Sequence, residues 1–196
     1  TGLSVHNLAR LLQDRGDLEA AEPLFQRALE IDERALGSEH PDTGVSVHNL
    51  ARLLQDRGDL EAAEPLFRRA LEIAERALGP ELVVTDLQNY GVLLRTLGRY
   101  DEALKSLLRA FEINEKNAGQ ESEEASSSLS ALGKLYELKG AYNESRGAYG
   151  RSIGIRESLF GPTHPKTASL YYRLGELELV CGEKASAKIA FGTALK

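Results

Sequence analysis

Methionine is absent from the 196 residues, and cysteine occurs once, at Cys181. A single thiol excludes an internal disulfide framework, cannot by itself supply a zinc site, and suits a reducing compartment. No apolar run approaches the length of a membrane span and no signal peptide opens the chain, so the cytoplasm is the expected setting. Positive charge is not in excess: 24 Lys and Arg stand against 30 Asp and Glu, a net charge of −6. That balance offers no footprint for a phosphate backbone or an anionic bilayer, so neither nucleic acid nor membrane is expected as a partner. A glycine-rich phosphate loop, a paired-histidine helix motif and a nucleophile elbow are missing too. The chain therefore reads as a non-enzyme with no cofactor.

What the sequence has instead is repetition. Residues 1–37 recur as residues 43–79 with three differences, Leu3/Val45, Gln26/Arg68 and Asp32/Ala74. The frame continues through the diverged remainder, because Gly16, Gly58, Gly98, Gly140 and Gly182 fall at steps of 42, 40, 42 and 42. Five repeats result, at 1–42, 43–82, 83–124, 125–166 and 167–196, read as one array over 1–196. The short step is a two-residue deletion in the joint around Pro80, where "LGSEHPDTG" becomes "LGPELVVTD". The chain starts on a repeat boundary and lacks methionine, from which a piece of a longer protein is expected.

Each repeat carries two helical patterns and no period-2 alternation. Val5, Leu8, Ala9, Leu11 and Leu12 keep helical spacing up to Gly16, a glycine placed to close a helix. Asp17 can cap a second helix whose stripe is Leu18, Ala21, Leu24, Phe25, Ala28 and Leu29, ending at Gly37. Pro23 lies near the start of that helix and is predicted to bend it without breaking it. His40 and His164 each precede a proline that starts a next helix, which assigns both to the joints. A single pair cannot hide its apolar stripe, so each pair must pack on the next. Small residues mark the contacts: Ala9, Ala51, Gly91, Gly133 and Gly175 in the first helices, and Ala21, Ala63, Ala103, Ser145 and Ala187 in the second.

These small residues, the aromatic at Phe25, Phe67, Tyr149 and Phe191, and Ala28, Ala70, Ala110 and Ala194 resemble the tetratricopeptide repeat (TPR). The 42-residue step, "HNLARLLQDRGDLEAAEPLFQRALEIDERALGSEHPDT" and "LFGPTHPKTA" resemble the long repeats of kinesin light chains, across all five repeats. The resemblance implies an all-α, right-handed superhelical solenoid of five helix-turn-helix repeats. Two departures stand out. The fourth repeat has Gly147, Gly150 and Gly154 in its second helix, each costing about 1 kcal/mol against alanine. The fifth has Glu178 and Lys184 at stacking positions, as an end repeat facing water would.

The family implies a protein-protein interaction module whose first helices line a concave groove for a peptide segment of a partner. Carried onto this chain, the groove residues are Asn7, Arg10, Asn49, Arg52, Asn89, Arg95, Lys134 and Arg173. Asparagine amides can both donate to and accept from a peptide backbone, and the guanidinium row would favour an acidic ligand. The alternative for the charges is a solvated face with intrahelical pairs such as Arg10 with Asp14. His6 and His48 should lie one repeat apart, on the order of 10 Å, too far to share a zinc ion, and read as groove or surface histidines. The lysine and asparagine pattern that clamps chaperone tails in one variant of the family is absent here. Two further readings stand beside peptide binding: a scaffold that self-associates through its solenoid ends, and the sensing arm of a larger signalling ATPase or protease.

Overall fold

A computed structural model describes residues 2–195. Among the described residues there are ten helices and no strands: α1 Gly2–Asp14, α2 Leu18–Leu36, α3 Pro41–Arg57, α4 Leu60–Leu78, α5 Val84–Thr96, α6 Tyr100–Ala118, α7 Glu123–Leu138, α8 Tyr142–Phe160, α9 Pro165–Val180 and α10 Lys184–Ala194. They form two compact units, 1–99 and 100–196, the division falling between α5 and α6. Within the first unit α1 packs on α2, α2 on α3, α3 on α4 and α4 on α5; within the second the same order runs from α6 to α10.

The turns follow from a few residues. Gly16 and Gly58 adopt φ of 81° and 89°, where a side chain would be strained. The reversed chain then returns the Asp17 and Asp59 amides to the carbonyls of Leu12 and Leu54, at 2.9 and 2.8 Å. Asp17 caps α2 by accepting from Ala20 N. Asp59 does not cap α4; its carboxylate is held by Arg57 at 2.6 Å, which also pairs with Glu22. α2 runs unbroken through Pro23. At the joints, His40 and His164 each accept from the amide two residues on through Nδ1, with Pro41 and Pro165 opening the helices. Thr43 and Thr167 close the same joints by donating to the carbonyls of Gly37 and Gly161, at 2.8 and 2.9 Å.

The small-residue registers are buried in all five repeats. Space is the reason: a methyl group added at Gly133 would stand 2.8 Å from the Tyr149 ring, and at Gly175 2.7 Å from the Phe191 ring. In the first unit Ala9, Ala21, Phe25, Leu29, Val47, Leu50 and Leu53 form one core between successive pairs. The copied residues are not equivalent in place. Leu8 and Leu11 of α1 are 49% and 48% exposed, whereas Leu50 and Leu53 of α3 are 7% and 0% exposed, because α2 covers α3.

The fifth repeat departs from expectation at one of its two polar positions. Lys184 is exposed, but Glu178 is buried and accepts from Arg146 Nε and Nη2 at 2.6 and 2.7 Å. The guanidinium fork matches both carboxylate oxygens, so an ion pair between α8 and α9 takes the place of an apolar contact. It also holds the Glu178 carboxyl below the usual carboxylate range.

Candidate functional site

In the first unit the first helices of three repeats carry Asn7, Asn49 and Asn89 in one register; Arg10 and Arg52 share a second, which α5 fills with Val92, and Arg95 stands in the register of Gln13 and Gln55. Asn7 and Arg10 on α1, Asn49 and Arg52 on α3, and Asn89 and Arg95 on α5 all keep at least part of their side chains in solvent. The asparagines are not equally available. Asn49 Nδ2 lies 3.1 Å from His6 Nε2 and donates to the Val45 carbonyl at 2.9 Å. Asn89 Nδ2 lies 3.1 Å from His48 Nε2. One amide hydrogen of Asn49 and one of Asn89 therefore point into the joint between repeats, and the second of Asn49 is spent on a carbonyl of its own helix. What these two side chains leave outward is chiefly the carbonyl oxygen, an acceptor. Asn7 has no hydrogen-bond partner among the described residues.

The histidines explain the arrangement. His6 and His48 sit edge-on to Phe25 and Phe67, with ring centroids 5.3 and 5.5 Å apart. Each is half-buried and uses Nε2 to accept from the asparagine of the following repeat, which requires the neutral imidazole with its proton on Nδ1. Burial, followed by the positive charge of Arg10, lowers the His6 pKa. His48 Nδ1 donates to Asp86 Oδ1 at 2.8 Å. The two histidines are thus joint residues, a role that a one-repeat reading of spacing did not assign.

Two open clefts flank this ladder. One, of about 440 Å3, is walled by Leu3, His6, Arg10, Asp32, Leu36 and Val45 among others. The next, of about 230 Å3, shares Val45 and is lined by Pro41, His48, Ala74, Leu78 and Asp86 among others. They are the same cleft one repeat on, and Asp32/Ala74 is one of the few differences between the copies.

Among the described residues, Arg10, Arg52 and Arg95 make no ion pair. The proposed Arg10 to Asp14 pair does not form, and Asp56 instead accepts from Gln13 Nε2 at 2.7 Å. By contrast Arg57, Arg69, Arg76 and Arg99 of the same compact unit are all paired with carboxylates. In the second unit Lys134 on α7 is paired with Glu137 at 2.9 Å, and Arg173 on α9 is exposed. Glu137 also accepts from Tyr149, whose pKa burial raises. Tyr171 donates to Glu157 at 2.7 Å, and burial with that bond pushes it up to about 12.

A stack of helix pairs with small residues at every contact defines a repeat protein, and comparison with known proteins identifies the kind. A tetratricopeptide repeat model matches residues 3–76 and 81–158. The chain belongs to the tetratricopeptide repeat family. No curated protein matches it. Among solved structures it is similar to BtubC (BKLC) from P. vanneervenii, with a TM-score of 0.85 and 25% identity over 97% of this chain and 76% of that one. It is also similar to a kinesin-light-chain-type protein of Podosopora anserina with nearly identical TPR-like repeats, with a TM-score of 0.87 and 23% identity over 97% and 92%. A third likeness is to MamA from Desulfovibrio magneticus RS-1, with a TM-score of 0.72 and 16% identity over 99% and 93%. In fold the repeats are similar to those of that kinesin-light-chain-type protein. This fold is a general protein-interaction and scaffold module, typically without enzymatic activity. Among the described residues no helix is long and apolar enough to cross a membrane.

Proposed function

We propose that the chain binds a peptide segment of a protein partner along the first helices, with a preference for acidic sequence. The supporting observation is that Arg10, Arg52 and Arg95 stand unpaired on the first helices. Arg10 and Arg52 share one register, Arg95 stands one turn further along α5 in the register of Gln13 and Gln55, and none of the three forms an ion pair among the described residues, whereas Arg57, Arg69, Arg76 and Arg99 of the same unit are paired. An unpaired, part-solvated guanidinium can take a ligand carboxylate bidentately without first breaking an internal bond. Asn7 offers a complete amide, and Asn49 and Asn89 offer oxygens to peptide N–H groups. In the second unit Lys134 occupies the register of Arg10 and Arg52, less available because Glu137 holds it, and the exposed Arg173 occupies the register of the asparagines.

The test is fluorescence anisotropy of labelled acidic, neutral and basic peptides against the full chain, repeated with Arg52→Gln. An acidic peptide should bind, weaken with salt, and lose several-fold in affinity in the variant. Equal binding of all three peptide classes, or an unchanged Kd in Arg52→Gln, would remove the acidic preference. Scaffolding by self-association is the second reading, favoured by the exposed Leu3, Leu8 and Leu11 of α1. Light scattering across a concentration series decides it: a constant mass of 21.4 kDa is a monomer, and a rising mass supports assembly.

A further inference from the structure

Of the three differences between the first two repeats, Asp32/Ala74 lies at the joint. Its register recurs as Asp32 in α2, Ala74 in α4, Asn114 in α6 and Arg156 in α8, and the facing register on the next first helix is Ser46, Asp86, Ser128 and Leu170. Two of the four pairs bond directly, and in the other two the polar member finds its partner elsewhere. Asp32 Oδ2 accepts from Ser46 Oγ at 2.5 Å. Asn114 Nδ2 donates to Ser128 Oγ at 3.0 Å, with both side chains buried. At α4 the alanine offers no polar atom, and Asp86 turns instead to His48 Nδ1 at 2.8 Å. Arg156, facing the apolar Leu170, reaches Ser126 Oγ at 2.9 Å and the Lys166 carbonyl at 3.1 Å.

A mixed joint would fail on elementary grounds. Asp32 opposite an aspartate would place two carboxylates together in a half-buried joint, where like charges cannot both be satisfied. Ala74 opposite a serine would leave the buried hydroxyl of a Ser46-type residue without a partner, at the cost of its desolvation. We propose that this residue pair is a pairing code: it sets which second helix stacks on which first helix. By this code the near-identical repeats 1 and 2 are not interchangeable, whether within one chain or by exchange between two copies of it.

Transplanting one joint's pair onto the other tests this in the full chain, by urea unfolding. Ala74→Asp should raise the unfolding equilibrium constant at least tenfold, because the new carboxylate faces Asp86 across the cleft they share. Adding Asp86→Ser should recover most of the loss, since the double variant rebuilds the aspartate–serine pair of the first joint. The reciprocal transplant is Ser46→Asp, which should be destabilising, rescued by Asp32→Ala. In that rescued double variant the new carboxylate should bond His6 Nδ1 as Asp86 bonds His48, raising the His6 pKa in an NMR titration above that of Asp32→Ala alone, the proper reference because Asp32 itself raises it. Rescue in both directions is the expected result. A double variant no more stable than the sum of its single changes, in either direction, overturns the code, and this reading stays decisive if a single variant does not fold at all.

Discussion

Replacing Arg146 by alanine would leave a carboxylate inside the α8/α9 joint with nothing to neutralise it. The Glu178 side chain is 7% exposed and that of Arg146 39% exposed, and both carboxylate oxygens are engaged at 2.6 and 2.7 Å. Two unit charges about 4 Å apart interact by roughly 4 kcal/mol at an effective dielectric near 20, and breaking a fully buried pair from one side costs about 3–5 kcal/mol. The solvent-facing side of Arg146 screens part of this, which brings the expected loss for Arg146→Ala to about 2–3 kcal/mol. Urea unfolding followed by circular dichroism measures the loss, and hydrogen exchange should place it in α9. A pH series supplies the second arm. Because Arg146 lowers the folded-state pKa of Glu178, the unfolded chain binds the proton first as pH falls. The pair's contribution is therefore full above the unfolded carboxylate pKa and disappears as pH drops through the lower folded value; Arg146→Ala should abolish that component. Replacing both residues by leucine should restore stability, since an apolar pair stands here in the preceding repeat at Leu104 and Tyr136. A loss under about 0.5 kcal/mol in Arg146→Ala, the range of an exposed pair, would refute the reasoning.

Glycine positions separate packing from propensity. Gly147, Gly150 and Gly154 in α8 have nothing within 4 Å of an added methyl group, so each change to alanine should stabilise by about 0.5–1 kcal/mol, read as a higher melting temperature. Gly133→Ala should instead destabilise by about 1–3 kcal/mol, because its methyl group meets the Tyr149 ring at 2.8 Å. The copied leucines offer a matched pair: Leu53→Ala should cost about 2–5 kcal/mol and Leu11→Ala about 1 kcal/mol or less, although the two stand in identical local sequence. Equal losses in urea unfolding would contradict the burial difference between α1 and α3.

The helix pairs were legible because their determinants are local. Gly16 and Gly58 close helices wherever the chain places them, His40–Pro41 and His164–Pro165 open them, and Ala9, Ala21 and their counterparts mark close approach whatever the neighbour. Asn49 was legible as a register residue but not as a bonded one, since its partner His6 stands 43 positions away and meets it only when two repeats stack. Glu178 misled for the same reason: its sequence neighbourhood reads as a water-facing end, and only α8 packing on α9 delivers Arg146. A signal for the joint pairs did exist in the sequence, in the joint change from Asp32 to Ala74 and the accompanying change from Ser46 to Asp86, but it carries meaning only once the facing registers are known.

The sequence alone thus determines the helix pairs, their length and their small-residue contacts, because backbone conformation and side-chain volume act within a few residues. It cannot distinguish Leu8 from Leu50, Leu11 from Leu53 or His6 from His48, which are copies in copied surroundings. Tertiary structure separates them: burial and hydrogen bonding depend on the adjoining helix, so α2 covering α3 turns a leucine exposed in one repeat into core in the next.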